Sequence, residues 1–177
     1  MRVAFDLDNT LIRNDFNFPL APAKRPLLQK LLQTEPLRLG VQEVFAFCRS
    51  QGWEVWIYTT SYRSPFYIRK MLWIYSLRVD GIVNQARHDQ QVHVRSTKHP
   101  PTFGIQVVID DSRGVQLEGE RFGFLVIQID SQDAGWVETV RSQLAALLLS
   151  PEKLRAVSSL VSPADSYANS PMSTAGP

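Results

Sequence analysis

Short apolar runs alternate along this chain with stretches whose apolar residues recur at helical spacing. Val3 to Leu7, Glu54 to Tyr58, Val107 to Ile109 and Phe124 to Ile127 are continuous, largely apolar runs of strand length, the pattern of strands buried on both faces. Asp80 to Asn84 is a weaker fifth candidate. Between the first two runs, Val41, Val44, Phe45 and Cys48 fall at i, i+3, i+4 and i+7, with Gly52 placed to end a helix. After the second run, Ser64-Pro65 reads as an N-cap followed by proline in the first turn, and Tyr67, Met71, Ile74 and Tyr75 mark one helical face. Val137, Val140, Leu144 and Leu147 predict a last helix. Strand-helix alternation predicts an α/β fold, a Rossmann-like three-layer sandwich around a mainly parallel sheet. In such sheets sites lie beyond the carboxyl ends of the strands.

Two segments depart from the alternation. Residues 12 to 38 carry Phe16, Phe18, Pro19, Pro22, Pro26 and Pro36 and are too long for a tight strand-to-helix turn. They are expected to form a flap or minimal cap, with a short helix over Leu27 to Leu32. From 150 to 177 the chain turns to Pro, Ser and Ala without apolar periodicity, the composition of a disordered tail. The domain is therefore expected to occupy residues 1–149.

Composition narrows the function classes. A chain of 177 residues with 44% hydrophobic content can bury one ordinary core. Nineteen Lys and Arg against 17 Asp and Glu give no electrostatic case for a membrane or a clear nucleic-acid surface, so recognition must come from local charge. Cys48 is the sole cysteine, which excludes an internal disulfide framework and suits a packing role. The first residues lack the basic region and long apolar stretch of a secretory signal, and no apolar run is long enough to span a bilayer, so a soluble, cytoplasmic protein is expected.

Chemistry concentrates at the strand ends. Asp6-Leu7-Asp8-Asn9-Thr10 closes the first run; residues two apart in an extended chain point the same way, so Asp6 and Asp8 can face one small volume. Asp110 and Asp111 follow the run Val107 to Ile109. If these strands are neighbours, four carboxyl groups converge, an arrangement tolerable only if protonated or neutralised by a cation. Oxygen ligands of this kind suit magnesium. Thr59-Thr60-Ser61, at another strand tip, offers donors for phosphate oxygens. Lys98 is the best candidate for a fixed positive charge, with Arg95 as its substitute.

In order, strand-Asp6-x-Asp8-x-Thr10, strand-Thr59, Lys98 and strand-Asp110-Asp111 resemble the four motifs of the haloacid dehalogenase-like superfamily, over residues 3 to about 130. The resemblance implies a magnesium-dependent phosphomonoester hydrolase in which Asp6 is phosphorylated. Asp8 would be the general acid and base, its carbonyl oxygen meeting the metal. Thr59 would hold the phosphoryl group, Lys98 would stabilise charge on Asp6 and phosphate, and Asp110 and Asp111 would complete the metal site, with Asp111 favoured as direct ligand. Asn9 and Thr10 would shape the turn. Asn9, Thr60 and Arg63 are the expected substrate contacts, and the partner is a phosphorylated substrate of undetermined size. The gaps on either side of Thr59 leave no room for a large cap, so the chain resembles capless or nearly capless members.

Competing readings start from the same residues. A phosphoacceptor switch, a non-catalytic module and a phosphotransferase could use this constellation. Response-regulator receivers, however, resemble it with the acidic pair and the acceptor Asp on different strands, and Asp8 two residues past Asp6 is what turnover requires. His88, His93 and His99 match no compact zinc spacing. Trp53, Trp56, Trp73 and Trp136 read as core or rim aromatics. Arg13, Lys24, Arg25 and Arg63 flank the proposed site and could meet an anionic leaving group.

Overall fold

The computed structural model describes residues 1–149, so the tail expected from 150 lies outside the described residues. Five strands, β1 (Arg2–Phe5), β2 (Glu54–Tyr58), β3 (Gly81–Val83), β4 (Val107–Asp110) and β5 (Leu125–Gln128), form one sheet in the order β3-β2-β1-β4-β5. All four pairings are parallel, with Val3 opposite Val55 on one side and Val107 on the other. The helices are α1 (Pro26–Leu32), α2 (Val41–Ser50), α3 (Pro65–Ile74), α4 (Gln85–Gln91), α5 (Arg113–Phe122) and α6 (Trp136–Leu148), with a 3-10 turn at Pro100–Phe103.

The period of two along each strand sorts the core into two layers. Val3, Phe5, Val55, Ile57, Val107 and Ile109 pack with Val44 and Phe45 of α2, Met71 of α3 and Val140 of α6. Ala4, Trp56, Tyr58 and Val108 point the other way, onto Val92, Phe103 and Val115. Each fully buried Val, Leu or Ile contributes roughly 2 kcal/mol, and helices must cover both faces to realise that gain. This is the predicted three-layer α/β/α arrangement. Chain direction across the sheet reverses at β1, which lies between β2 and β4, so the crevice beyond β1 and β4 is the topological switch point where such folds place their sites.

Several element boundaries differ from the sequence reading, for local reasons. β1 stops at Phe5, two residues short, because the Leu7 carbonyl accepts the amides of Thr10, Leu11 and Ile12 and closes a tight turn. Asn9 in that turn takes φ 61°, a left-handed conformation that asparagine tolerates. α4 and α5 went unpredicted because they bury little: His88 in one, Val115 and Gly119 in the other. The Ser64 cap is present, its Oγ accepting the Tyr67 amide.

Residues 12 to 38 return on themselves through antiparallel bridges, Ile12 to Leu37 and Leu20 to Arg38, and include the expected short helix as α1. Arg38 fixes the end of this excursion. Only 1% exposed, its guanidinium lies 4.7 Å from the Phe18 ring and 4.9 Å from the Trp136 ring, and it donates to the carbonyls of Thr10, Asp130 and Asp133. Among the described residues no helix is long and apolar enough to cross a membrane.

Candidate active site

Three carboxylates meet at the switch point. One oxygen from each of Asp6, Asp110 and Asp111 lies within 4.8 Å of the others. Asp6 follows β1, Asp110 ends β4 and Asp111 is the next residue, so parallel pairing of these neighbouring strands brings the two tips together. Lys98 enters from the segment before β4. Its side chain is 2% exposed, and Nζ donates to Asp6 Oδ1 at 2.6 Å and to Asp110 Oδ2 at 2.5 Å. Asp111, half-buried, accepts from the hydroxyls of Thr10 at 3.1 Å and Ser131 at 3.3 Å.

The electrostatics follow from burial. Loss of water pushes the Asp6 carboxyl up to about 7; Lys98 pulls it down, and Asp110 and Asp111 oppose that pull. Burial disfavours the Lys98 ammonium, but Asp6 and Asp110 outweigh it and hold the lysine above its ordinary value. Asp111 is raised as well, by burial and then by Asp110. One ammonium among three carboxylates leaves the cluster short of positive charge, which is where a cation gains most.

Lys98 is held by groups that sequence reasoning did not single out. Both Glu118 oxygens, from α5, accept backbone amides, Thr97 N at 2.5 Å and Lys98 N at 2.9 Å. The Tyr58 hydroxyl accepts the next amide, His99 N, at 2.8 Å and is itself bonded to His88 Nδ1 at 2.6 Å. Three successive amides are thus fixed from α5 and β2, and the lysine stem has one way to point. No periodic signal marks Glu118, because its partner is backbone. Arg95, the alternative cation, is exposed.

Other predicted residues fall in less expected places. The Asp8 carboxylate does not join the acidic cluster; its Oδ2 accepts from Arg63 at 3.1 Å. The expectation that Asp6 and Asp8 point together assumed a strand through Leu7, whereas β1 ends at Phe5. Arg63 in turn pairs with both oxygens of Glu35, at 2.7 and 2.9 Å, and donates to Ser61 Oγ. Glu35, then Asp8, strengthen its hold on its proton. This ion pair joins the 12–38 segment to the loop after β2. Asn9 shapes the turn as expected, but its side chain is occupied there: Oδ1 accepts the amides of Asn14, Asp15 and Phe16, and Nδ2 donates to Asp15. A substrate contact would have to displace them. Thr59 is buried at the tip of β2, its Oγ1 accepting the Ser61 amide, while Thr60 is exposed. Two of the three histidines serve the scaffold, His88 on Tyr58 and His99 on Thr102.

Comparison with known proteins reaches the fold. No protein-family model and no curated protein match the chain. Solved structures do: a chain of the Pnkp1/Rnl/Hen1 complex is similar over 75% of this chain and 46% of that one, with a TM-score of 0.50 and 17% identity. A predicted HAD-like family hydrolase from Porphyromonas gingivalis is similar over 83% of this chain and 97% of that one, with a TM-score of 0.46 and 13% identity. This chain therefore spans under half the length of the first of these. Fold and site define an α/β protein with a Rossmann-like parallel sheet whose switch point carries a buried acidic triad compatible with a metal ion.

Proposed function

We propose that the protein is a magnesium-dependent phosphomonoester hydrolase of the haloacid dehalogenase-like kind, working through a phosphoryl-aspartate on Asp6. The observation that carries this reading is Lys98 Nζ bridging Asp6 and Asp110 while Asp111 completes a triad of oxygen donors within 4.8 Å. An all-carboxylate donor set with a surplus of negative charge fits a hard divalent cation, and Asp6, Asp110 and Asp111 would hold it. When bound, magnesium supplies Lewis-acid charge stabilisation to phosphoryl oxygens.

The chain's own residues account for the rest. Lys98 favours the ionised form of Asp6 and directs it, so that its carboxylate can attack phosphorus as the ester P–O bond breaks. Asp8, paired with Arg63, gives its proton to the departing oxygen when protonated, then takes one from the water that attacks the phosphoryl-aspartate. That water brings the oxygen that leaves as inorganic phosphate, and Asp6 is restored. The Thr59 hydroxyl donates to a phosphoryl oxygen. The 12–38 segment, tied by Glu35 to Arg63, serves as a minimal cap, and the compartment is cytoplasmic.

Hydrolysis of an aryl phosphate by the purified protein with magnesium, with chelator, and with Asp6→Asn tests the reading. Turnover should require both magnesium and Asp6; magnesium-independent turnover, or an active Asp6→Asn protein, contradicts it. One observation favours a second reading, a phosphoryl-accepting module: Asp8 is engaged by Arg63 and stands apart from the cluster. A phosphoryl group that persists on Asp6 without loss to water would favour that alternative.

A further inference from the structure

A groove of about 490 Å³ lies along the outer side of α3, and no residue of the acidic triad lines it. Its apolar part is built by Phe66, Trp73 and Leu77, and its rim by Arg69, Lys70 and Arg78; no Asp or Glu among the described residues lines it. Ile68, Met71 and Leu72 on the inner side of the same helix are buried in the core, so the helix has a second apolar side turned to water. Phe66 is 76% exposed and Trp73 45%, seven residues and about 10 Å apart along one face. Single exposed apolar residues are ordinary. Two aromatics in line on one helix face, bordered by three cations, are a patch with one charge sign.

The occupant must be anionic at intervals and carry flat apolar groups between the charges. Phosphates alternating with bases have this form: rings take a base by stacking and neighbouring Lys and Arg take the backbone. Trp73 already holds one planar group, the Arg25 guanidinium, 4.2 Å from its ring centroid. The overall charge of +2 concealed this, because the cations converge only once α3 and the chain after it are folded.

We propose that this groove binds single-stranded nucleic acid, independently of the hydrolase reading. The test is fluorescence anisotropy of a labelled single-stranded oligonucleotide with the full chain across a salt series, for the wild type, Lys70→Glu with Arg78→Glu, and Phe66→Ala. Wild-type affinity should fall linearly with the logarithm of salt concentration, and the double charge reversal should weaken binding by at least about tenfold and flatten that slope by about two charges. Phe66→Ala should weaken binding about fivefold or more without changing the slope. Aryl phosphate turnover, which needs no groove, should be unchanged in all three proteins. No oligonucleotide binding, equal binding by the charge-reversed protein, or tighter binding of an acidic peptide than of the oligonucleotide would overturn the proposal. Oligonucleotide binding without aryl phosphate turnover would sustain the groove and remove only the hydrolase.

Discussion

Lys98 Nζ lies 2.6 Å from Asp6 Oδ1 across 92 positions of sequence, and both groups are withdrawn from water. The pair, shared with Asp110, is what makes three neighbouring carboxyl groups tolerable at one sheet edge. Breaking such a pair from one side leaves buried charge without a partner, at a cost of about 3–5 kcal/mol. Lys98→Met should therefore lower urea stability by about that amount and abolish turnover. Added magnesium should restore part of the stability and none of the activity. A variant as stable as the wild type without metal would show that the lysine is not the counter-ion.

Magnesium itself should stabilise the folded chain. At about ten times its dissociation constant a bound ion adds about 1.4 kcal/mol. A thermal melt should rise with magnesium in the wild type and stay flat in Asp111→Asn, which removes one donor and keeps the shape. Asp111→Asn should also melt higher than the wild type in chelator, since it removes a carboxylate disfavoured by burial and then by repulsion from Asp110. Equal magnesium response in both proteins would place the ion elsewhere.

Glu118 acts on the site through backbone alone. Removing its carboxylate frees the amides of Thr97 and Lys98 and lets the lysine wander. Glu118→Ala should lower kcat by about tenfold or more, the cost of misplacing a charged group by a fraction of an ångström, while KM changes less than about twofold. A fall in stability with kcat intact would make Glu118 a structural anchor only.

Acid should destabilise the protein through His88. Burial lowers the affinity of this imidazole for a proton, opposed by Asp89, the Ser96 backbone and Glu118 around it. The folded value lies below the unfolded one, about 6.5, so the unfolded chain takes up the proton first as pH falls. The stability linked to His88 is complete above about pH 6.5 and is lost progressively below it. Asp6, whose carboxyl is raised to about 7, acts in the opposite sense in this window and does so in both proteins, so on going from about pH 7.5 to about pH 5.5 the urea midpoint of the wild type should shift toward lower urea relative to that of His88→Gln. His99, shifted the same way, keeps the difference from vanishing in that variant. A wild-type slope unchanged by the substitution would assign the acid sensitivity to other groups.

The parts legible in the sequence are those whose partners share a period or a strand tip. β2 and β4 and the helices α2, α3 and α6 show themselves because each buries three or more apolar side chains at regular spacing. Asp6, Asp110 and Asp111 are legible because parallel pairing of adjacent strands aligns their ends. α4, with its single buried His88, leaves no apolar stripe to read. Asp8 is misread when the strand is carried two residues too far, since its direction depends on the turn at Leu7 and on an arginine 55 positions away. Glu35, Glu118 and Tyr58 act on partners brought near only by folding, and no local pattern announces them.

The central claim is that Asp6 carries the phosphoryl group. Its most direct measurement is mass spectrometry of the protein acid-quenched during turnover of a phosphate ester with magnesium, followed by digestion. The account predicts one added phosphoryl group on the peptide containing Asp6, removed by hydroxylamine as an acyl phosphate and missing from Asp6→Asn. Turnover with no phosphoryl group on that peptide, or with one on a different residue, would contradict it.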